Sequence, residues 1–481
     1  MEAITIPHVR IPSINIGGIC LPGIGAPGSI GKKGLIWPAG MKEHIKAWYD
    51  PKKQGLTNFD VIEAYTEDFS KYPWNNKTEK YVGNLTSKAL TVTEVLVRSA
   101  LMYTNIKPYN FKVRITGLIN NQKVIFGDDT STYRALIVDK DGVYDVNWED
   151  NHRDYCIWID FIGECNITIT QLPTSILQDF SGNGNHAYLY GGKGKLNSGM
   201  GVYQEDFSIN TWNKTSFVFD YSHDYIKAKF KTINAGYRNV TVSNSNVSLN
   251  SMKIKVIIKG NSKDNRIMYS YADENGAQKV YYINNGETGI VPKSIATKTN
   301  DFLVGFRYNE NNGDDCEITI TQIPDYPDQL CYDGKMYAVA YDMPILTDYT
   351  VMAERTWFEK EEYSAFISNS LGGIEEPNNG AFCVEIKSLN SFTTSSFGSL
   401  TSIGIPEKGI TYQTKQSYNG NSINVGTKES NDILILGGRY FYKNDNAAGN
   451  TWNGCHGAII VADRSFTEEE INWLKQNWDK I

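Results

Sequence analysis

The sequence predicts an all-β chain built from several sandwiches, and three observations carry that prediction. Aromatic residues reach 12%, with 30 tyrosines, a side chain that packs its ring on a half-buried pleated face while its hydroxyl reaches water. Runs such as FKVRITG (111–117) and MKIKVIIKG (252–260) place apolar residues at every second position, the period of a strand with one buried face. Finally, one nine-residue line is written twice, CNITITQLP at 165–173 and CEITITQIP at 316–324.

A length of 481 residues leaves room for roughly two to four domains of ~100 to 200 residues. Charged residues at 21% and hydrophobic ones at 41% describe an ordinary globular protein. The net charge is −7, and no stretch concentrates lysine or arginine, so nucleic acid is not an expected partner. Seven cysteines are scattered without a CxxC pair, which predicts neither a disulfide framework nor a zinc site. They read as small buried hydrophobes of a protein made in a reducing cytoplasm. MEAITIPHVR lacks a basic region and an apolar run of signal-peptide length. The apolar stretch INIGGICLPGIGAPGSIG is broken by Gly and Pro, so membrane insertion is not expected either, and release from a cell would need lysis.

Residues 1–40 hold five of the 15 prolines, many glycines and four charges. That spacing predicts an extended arm with neither helix nor sheet. The arm is apolar, through Ile4, Ile6, Val9, Ile11, Ile14, Ile16 and Ile19, whereas a solvated linker would be polar. Ordering it costs ~1 to 2 kcal/mol per residue. The arm is therefore expected to bury its isoleucines on another subunit, the alternative being its own domain. Its GIGAPG (Gly23, Gly25, Gly28) spells a dinucleotide fingerprint, but Pro27 and the lack of a following helical pattern assign it to the arm.

The repeat extends outward from the ITIT line. FKVRITG corresponds to MKIKVIIKG, YCIWIDFIG (155–163) to FLVGFRYN (302–309), and each copy closes on its CxITITQxP strand. There Ile167 and Ile169, like Ile318 and Ile320, share one face, and the threonines take the other. Pro173 and Pro324 end the strand by removing a ladder donor. Two small sandwich modules are thus expected, at 81–175 and 241–325.

The text outside the copies is β-rich without repeating. Two glycines and two asparagines in SGNGN (181–185) form a tight turn before HAYLY, and the apolar GAIIVAD (457–463) reads as a central strand. Thr467 and Glu470 form a T-x-x-E capping box for a terminal helix with Ile471, Leu474 and Trp478 on one stripe. DFSGNGNHA at 179–187, YDG at 332–334, DYTV at 348–351, TYQTKQSYNGNSINVG at 411–426 and ADRSFTEEEI at 462–471 resemble the LamG-like, concanavalin-type jelly rolls. Paired with the CxITITQxP modules, they resemble the variant found in crAss-like and other Bacteroides phages and in related Bacteroides proteins, which implies a virion (fibre) protein. The resemblance spans roughly residues 45–481. It implies a discontinuous jelly roll over 41–80, 176–240 and 326–481, with the modules inserted in its loops or, alternatively, strung in tandem.

Few residues point to chemistry. The six histidines show no HExxH or HxH spacing, GxSxG is absent, and no strand carries the paired carboxylates of a jelly-roll glycosidase. Glu385 in FCVEIKSL reads as a solvent-facing strand residue. DKDG (139–142) and GDDC (313–316) are either calcium loops or hairpin turns; calcium is the one cofactor the sequence leaves open. Trp452 in NAAGNTWNG could stack on a pyranose or pack at a loop base. The resemblance implies a non-enzymatic, oligomeric virion subunit with other virion proteins and cell-surface or mucosal glycans as partners. A carbohydrate-binding adhesin and a glycan-degrading enzyme are the alternatives.

Overall fold

The computed structural model describes residues 35–56, 68–70, 74–75, 81–97, 100–130, 132–149, 152, 154–191, 199–231, 236–243, 247–297, 303–311, 313–357, 363–372, 380–388, 391–404, 408–442 and 447–481, and strands 14–16 and 19–21. The chain divides into two compact units, 45–465 and the two ends together, 1–44 with 466–481.

In the larger unit two sheets form the parent sandwich. One runs, in spatial order, Ile176–Leu177, Ala187–Tyr190, Tyr337–Tyr341, Ile433–Leu436, Ala365–Ser368, Phe382–Ser388, Ser391–Ser396 and Ser399–Gly404. The other runs Gly199–Met200, Leu330–Asp333, Asn453–Ala462, Thr350–Trp357, Gly409–Thr414, Ser417–Tyr418 and Asn421–Ser422, and Ile45–Tyr49 also pairs with Asn453–Ala462. All ten residues of that central strand are buried, as its apolar sequence requires. Between the sheets lie Tyr49, Leu189, Met336, Tyr349, Phe366, Phe382, Trp452 and Val461.

Each ITIT line closes a sandwich of ten strands among the described residues. In the first module the strands are Trp74–Asn75, Tyr81–Leu85, Ala89–Val95, Ala100–Thr104, Phe111–Thr116, Val124–Asp128, Arg134–Val138, Gly142–Val146, Asp154–Ile159 and Gly163–Leu172. In the second they are Asn213–Lys214, Val218–Tyr221, Tyr225–Lys231, Gly236–Ser243, Met252–Asn261, Arg266–Ala272, Gln278–Asn284, Thr288–Val291, Val304–Glu310 and Asp315–Ile323. Counted from the start of each module, both have one sheet in the order 1-4-9-6-7 and another in the order 2-3-10-5-8. Strands three to ten thus follow the two-Greek-key order of a jelly roll, with two extra strands at the edge. The registers agree too: Thr170 faces Arg114 and Ile169 faces Ile115, while Thr321 faces Lys255 and Ile320 faces Val256. Ile167, Ile169, Ile318 and Ile320 are fully buried, and both strands stop at the residue before their proline.

The topology moves the module boundaries. Residues 213–240 were expected in the parent, yet they supply the first three strands of the second module and part of the fourth; residues 74–75, also expected in the parent, supply the first strand of the first module. The sequence conceals this because corresponding strands share only their buried face: ALTVTEV in one module stands where YIKAKFK stands in the other. Both modules interrupt the parent. The first lies between Ile45–Tyr49 and Ile176–Leu177, and the second between Gly199–Met200 and its own ladder partner Leu330–Asp333.

In the smaller unit, Ile14–Ile16 and Ile19–Leu21 form an antiparallel ladder, so the arm is not free of sheet as expected. The sequence between the paired strands is Gly-Gly, the composition a two-residue hairpin needs. Trp37 packs against Trp473 of the terminal helix Glu468–Asn477, ring centroids 5.1 Å apart and the planes tilted by 46°. That helix has the capping box read from the sequence: Glu470 N–H donates to Thr467 Oγ1 at 3.3 Å, and Thr467 N–H to Glu470 Oε2 at 2.9 Å.

Gly117 and Gly260 end the fifth strand of each module at φ +86° and +96°, with strand ten directly above. A Cβ on Gly260 would stand 2.5 Å from the Asp315 carbonyl oxygen. Gly260→Ala therefore combines left-handed strain with a backbone clash and is expected to destabilise the second module by ~1 to 3 kcal/mol or more. Calorimetry reads this as a lowered transition; an unchanged thermogram would show that the turn relaxes freely.

Candidate functional site

Several polar groups singled out by sequence, or found in the interior, are engaged in holding the fold. Glu385 is buried rather than solvent-facing: its carboxylate pairs with Arg439 and accepts a 3.0 Å bond from Thr393 Oγ1. Phe382, Val384 and Ile386 face the sandwich core, so Cys383 and Glu385 take the outer face of the sheet. Arg439 lies there between the rings of Tyr440 and Tyr363, 4.5 and 5.7 Å from their centroids. Breaking such a pair from one side costs ~3 to 5 kcal/mol.

Trp452 is fully buried, which corrects its reading as a sugar-stacking surface. Its ring packs 5.0 Å from Phe366 and 5.6 Å from Tyr332, and Gly454 leaves the space its indole fills. Beside it His456 accepts from Tyr332 Oη at 2.9 Å through Nε2 and donates from Nδ1 to Gly457 O at 2.7 Å. Complete burial lowers its pKa to about 4 and keeps it neutral. Arg355, its cross-strand neighbour, is also fully buried, with Nε donating to Thr411 Oγ1 at 3.1 Å and a second bond to Tyr418 Oη.

The two aspartate loops are built as turns. Both Asp141 oxygens accept backbone amides, Gly117 N–H at 2.9 Å and Leu118 N–H at 2.8 Å. Asp314 accepts from Lys263 N–H, Asn311 N–H and Tyr308 Oη. Among the described residues no group of three or more His, Cys, Asp or Glu could hold a metal ion. Of the arm positions, Ile4, Ile6, Val9 and Ile11 lie outside the described residues, and Ile14 and Ile16 belong to the short ladder. No helix among the described residues is long and apolar enough to cross a membrane.

The candidate site is a cleft of about 170 Å³ where the first module meets the parent sheet. The module contributes Arg114 and Thr116 from its fifth strand and Thr168 and Thr170 from its tenth; Tyr341, Asp432, Ile433 and Phe441 complete the lining. Strand alternation turns the ITIT threonines outward, opposite the buried isoleucines, and so into this cleft. Arg114 holds the junction: Nη2 and Nε donate to Asp342 at 2.5 and 3.2 Å, and its guanidinium lies 4.9 Å from the Tyr341 ring centroid. Below, Leu172 packs with Tyr188, Tyr190, Tyr337 and Tyr341 on the outer face of the parent sheet. Thr168 bonds Thr91 at 3.3 Å, whereas the hydroxyls of Thr116 and Thr170 have no partner among the described residues. Hydroxyls, one carboxylate, a cation and aromatic rings are what holds a polyhydroxylated ring in place. Asp432 is the one carboxylate of the lining. The sequence signal for the site was present in the outward positions of FKVRITG and the ITIT line, but the parent residues opposite them lie more than 170 positions away.

No protein-family model and no curated protein matches the chain. Among solved structures, Trypanosoma rangeli sialidase in complex with sialic acid is similar over 83% of this chain and 83% of its own, at 8% identity and a TM-score of 0.25. A mutant of that sialidase displaying trans-sialidase activity covers 83% and 84%, at 8% identity and a TM-score of 0.20. A chain of the entire lipid-containing bacteriophage PM2 covers 78% and 100%, at 10% identity and a TM-score of 0.15. Likenesses of this size carry no argument about this chain.

The buried imidazole makes stability pH-dependent with a definite sign. His456 takes up a proton near pH 6.5 in the unfolded chain but only near pH 4 in the folded one. Its contribution is complete above pH 6.5 and is lost as the pH falls toward 4, by up to ~1.4 kcal/mol per pH unit. His456→Gln should flatten that part of a stability-against-pH curve measured by denaturant titration; an acid limb identical to wild type would contradict the assignment.

Proposed function

We propose that the chain is a structural protein of a bacteriophage particle, a head- or tail-fibre or decoration subunit held by its first 40 residues and carrying glycan-binding sandwiches outward. The observation that carries this reading is the double insertion. Two jelly-roll modules interrupt a third, and the parent sheets stay continuous around them. Such an architecture multiplies displayed surface without adding a linker. The LamG-like phrases support the virion assignment by resemblance, and an apolar arm suits attachment to other virion proteins in a symmetric homo-oligomer.

A non-enzymatic role is part of the proposal. In most glycosidases hydrolysis uses two carboxylates facing one sugar. The cleft lining offers Asp432 alone, and Glu385 is paired with Arg439. Glycan binding in the cleft is favoured by the free hydroxyls of Thr116 and Thr170 beside Arg114 and Tyr341.

Gradient-purified particles from infected cells, gold-labelled at a tagged carboxyl terminus, are expected to carry the label. Deleting residues 1–40 should abolish incorporation while leaving the thermal transition of the sandwiches in place. Protein abundant in the lysate but absent from particles would sink the virion reading, and release of reducing ends from capsular polysaccharide would sink the non-enzymatic one.

A glycan array tests the cleft. Each lost hydroxyl bond is worth ~1 kcal/mol, so a Thr116→Val, Thr170→Val double variant should bind its neutral glycans about tenfold or more weakly at unchanged melting temperature. Equal binding by the double variant would remove the cleft from consideration.

A further inference from the structure

The second module presents a basic sheet face that the linear sequence hides. Alternation along its third strand sends Lys227, Lys229 and Lys231 outward while Ile226, Ala228 and Phe230 are fully buried. Its fifth strand does the same with Lys253, Lys255 and Lys259 against Met252, Ile254, Val256 and Ile258. The tenth strand runs between them. Glu317, Thr319 and Thr321 face Lys229, Lys227 and Tyr225 on one side and Lys259, Ile257 and Lys255 on the other. Two rows of lysines therefore stand roughly 9.5 Å apart, with roughly 6.8 Å between alternate residues along a strand, flanking the hydroxyls of Thr319 and Thr321 and the carboxylate of Glu317.

These charges are available. Lys227 is held by Asp220 at 2.8 Å, but the other five make no ion pair among the described residues. The carboxylates on the face, Asp220, Asp315 and Glu317, are half as many as the lysines. In a chain of net charge −7 this is a local inversion of sign. The duplicate provides an internal comparison. By register, Thr91 occupies the position of Lys227 and Arg114 that of Lys255, and Arg114 is tied to Asp342 of the parent. One copy uses this face for docking inside the chain, and the other leaves it charged and exposed.

We infer that the outer face of the second module binds an acidic polysaccharide, one bearing uronate carboxylates or sulfates. The two rows match charges spaced along a sugar chain, and Thr319 and Thr321 supply hydroxyl partners between them. Nucleic acid fits less well. The face carries no arginine for bidentate phosphate contacts, and a flat sheet has no element to enter a groove. The inference deepens the glycan part of the proposed function and stands apart from the cleft, which belongs to the other module.

The test uses the full chain and heparin, a sulfated uronate polymer, as probe. Wild type should be retained on immobilised heparin, released by salt, and not retained on neutral dextran. A Lys229→Gln, Lys255→Gln, Lys259→Gln variant should bind heparin at least about tenfold more weakly with its melting temperature unchanged, since these side chains are exposed and unpaired. Lys112→Gln, at the corresponding face of the first module, should bind as wild type. Undiminished retention of the triple variant, absence of wild-type retention, or equally effective competition by duplex DNA would each overturn the inference. Particle attachment is read by the arm deletion and neutral-glycan binding by the cleft variant, so failure of either is distinguishable from failure here.

Discussion

A glutamine side-chain amide closes each insertion, and the architecture depends on those two closures. At the first, Gln54 Nε2 donates to Ile176 O at 2.9 Å and its Oε1 accepts from Gln178 N–H at 2.8 Å. Next to it the Asp179 carboxylate accepts from Trp48, Ser181 and Asn185 N–H groups, and the amides of Asn183 and Asn185 reach the carbonyls of Ile45 and Lys46. At the second, Gln322 Oε1 accepts from Gln204 and Glu205 N–H groups, and its Nε2 donates to Glu205 O at 2.8 Å. A long insertion costs only ~0.6 kcal/mol more per doubling of length, but its ends must still meet. With entry and exit fixed side by side, the parent ladder continues as though uninterrupted: Gly199 pairs with Cys331 and Met200 with Leu330.

Duplication then separates what folding demands from what surfaces are free to do. The buried sides of the two modules remain chemically alike, since an identical strand order with matching register requires apolar residues at the same positions. The outer sides have parted. One offers threonines, Lys112 held by Asp145 and an arginine clamped to the parent; the other offers lysines in rows. Glu317 in the second copy stands where Asn166 stands in the first. A jelly roll tolerates this because outward positions contribute little to stability, usually within ±0.5 kcal/mol per substitution.

The same division decides what could be read from sequence. Period-two alternation, the repeated ITIT line, the proline stops and the T-x-x-E cap depend on neighbours within a few residues, and the structure places them as read. The strand YIKAKFK carries the alternation but no resemblance to ALTVTEV, so the second module appeared to begin near 241 rather than 213. Glu385 as a solvent-facing residue and Trp452 as a sugar contact failed for another reason. Their environments come from Arg439 and from Tyr332 with Phe366, partners 54 to 120 positions away that no local pattern announces. Six lysines spread over 33 residues look dilute on a line and become a patch only once two strands flank a third.

The interior polar groups are engaged in holding the fold. Arg355, His456, Glu385 and Gln413 are buried, and each is held in place by side-chain or backbone partners: Thr411 and Tyr418, Tyr332 and Gly457, Arg439 and Thr393, Tyr349 and Ser395. Withdrawing any of these toward a ligand would leave a buried polar group unpaired at ~1 to 3 kcal/mol, more if charged. Such groups fix which strands face one another, because a slipped register would strand them among apolar side chains. The sandwiches are therefore closed bodies. The proposed binding surfaces accordingly lie where the sandwiches meet, at Arg114 and Tyr341, and on an outer face with exposed charges, along Lys229, Lys255 and Lys259.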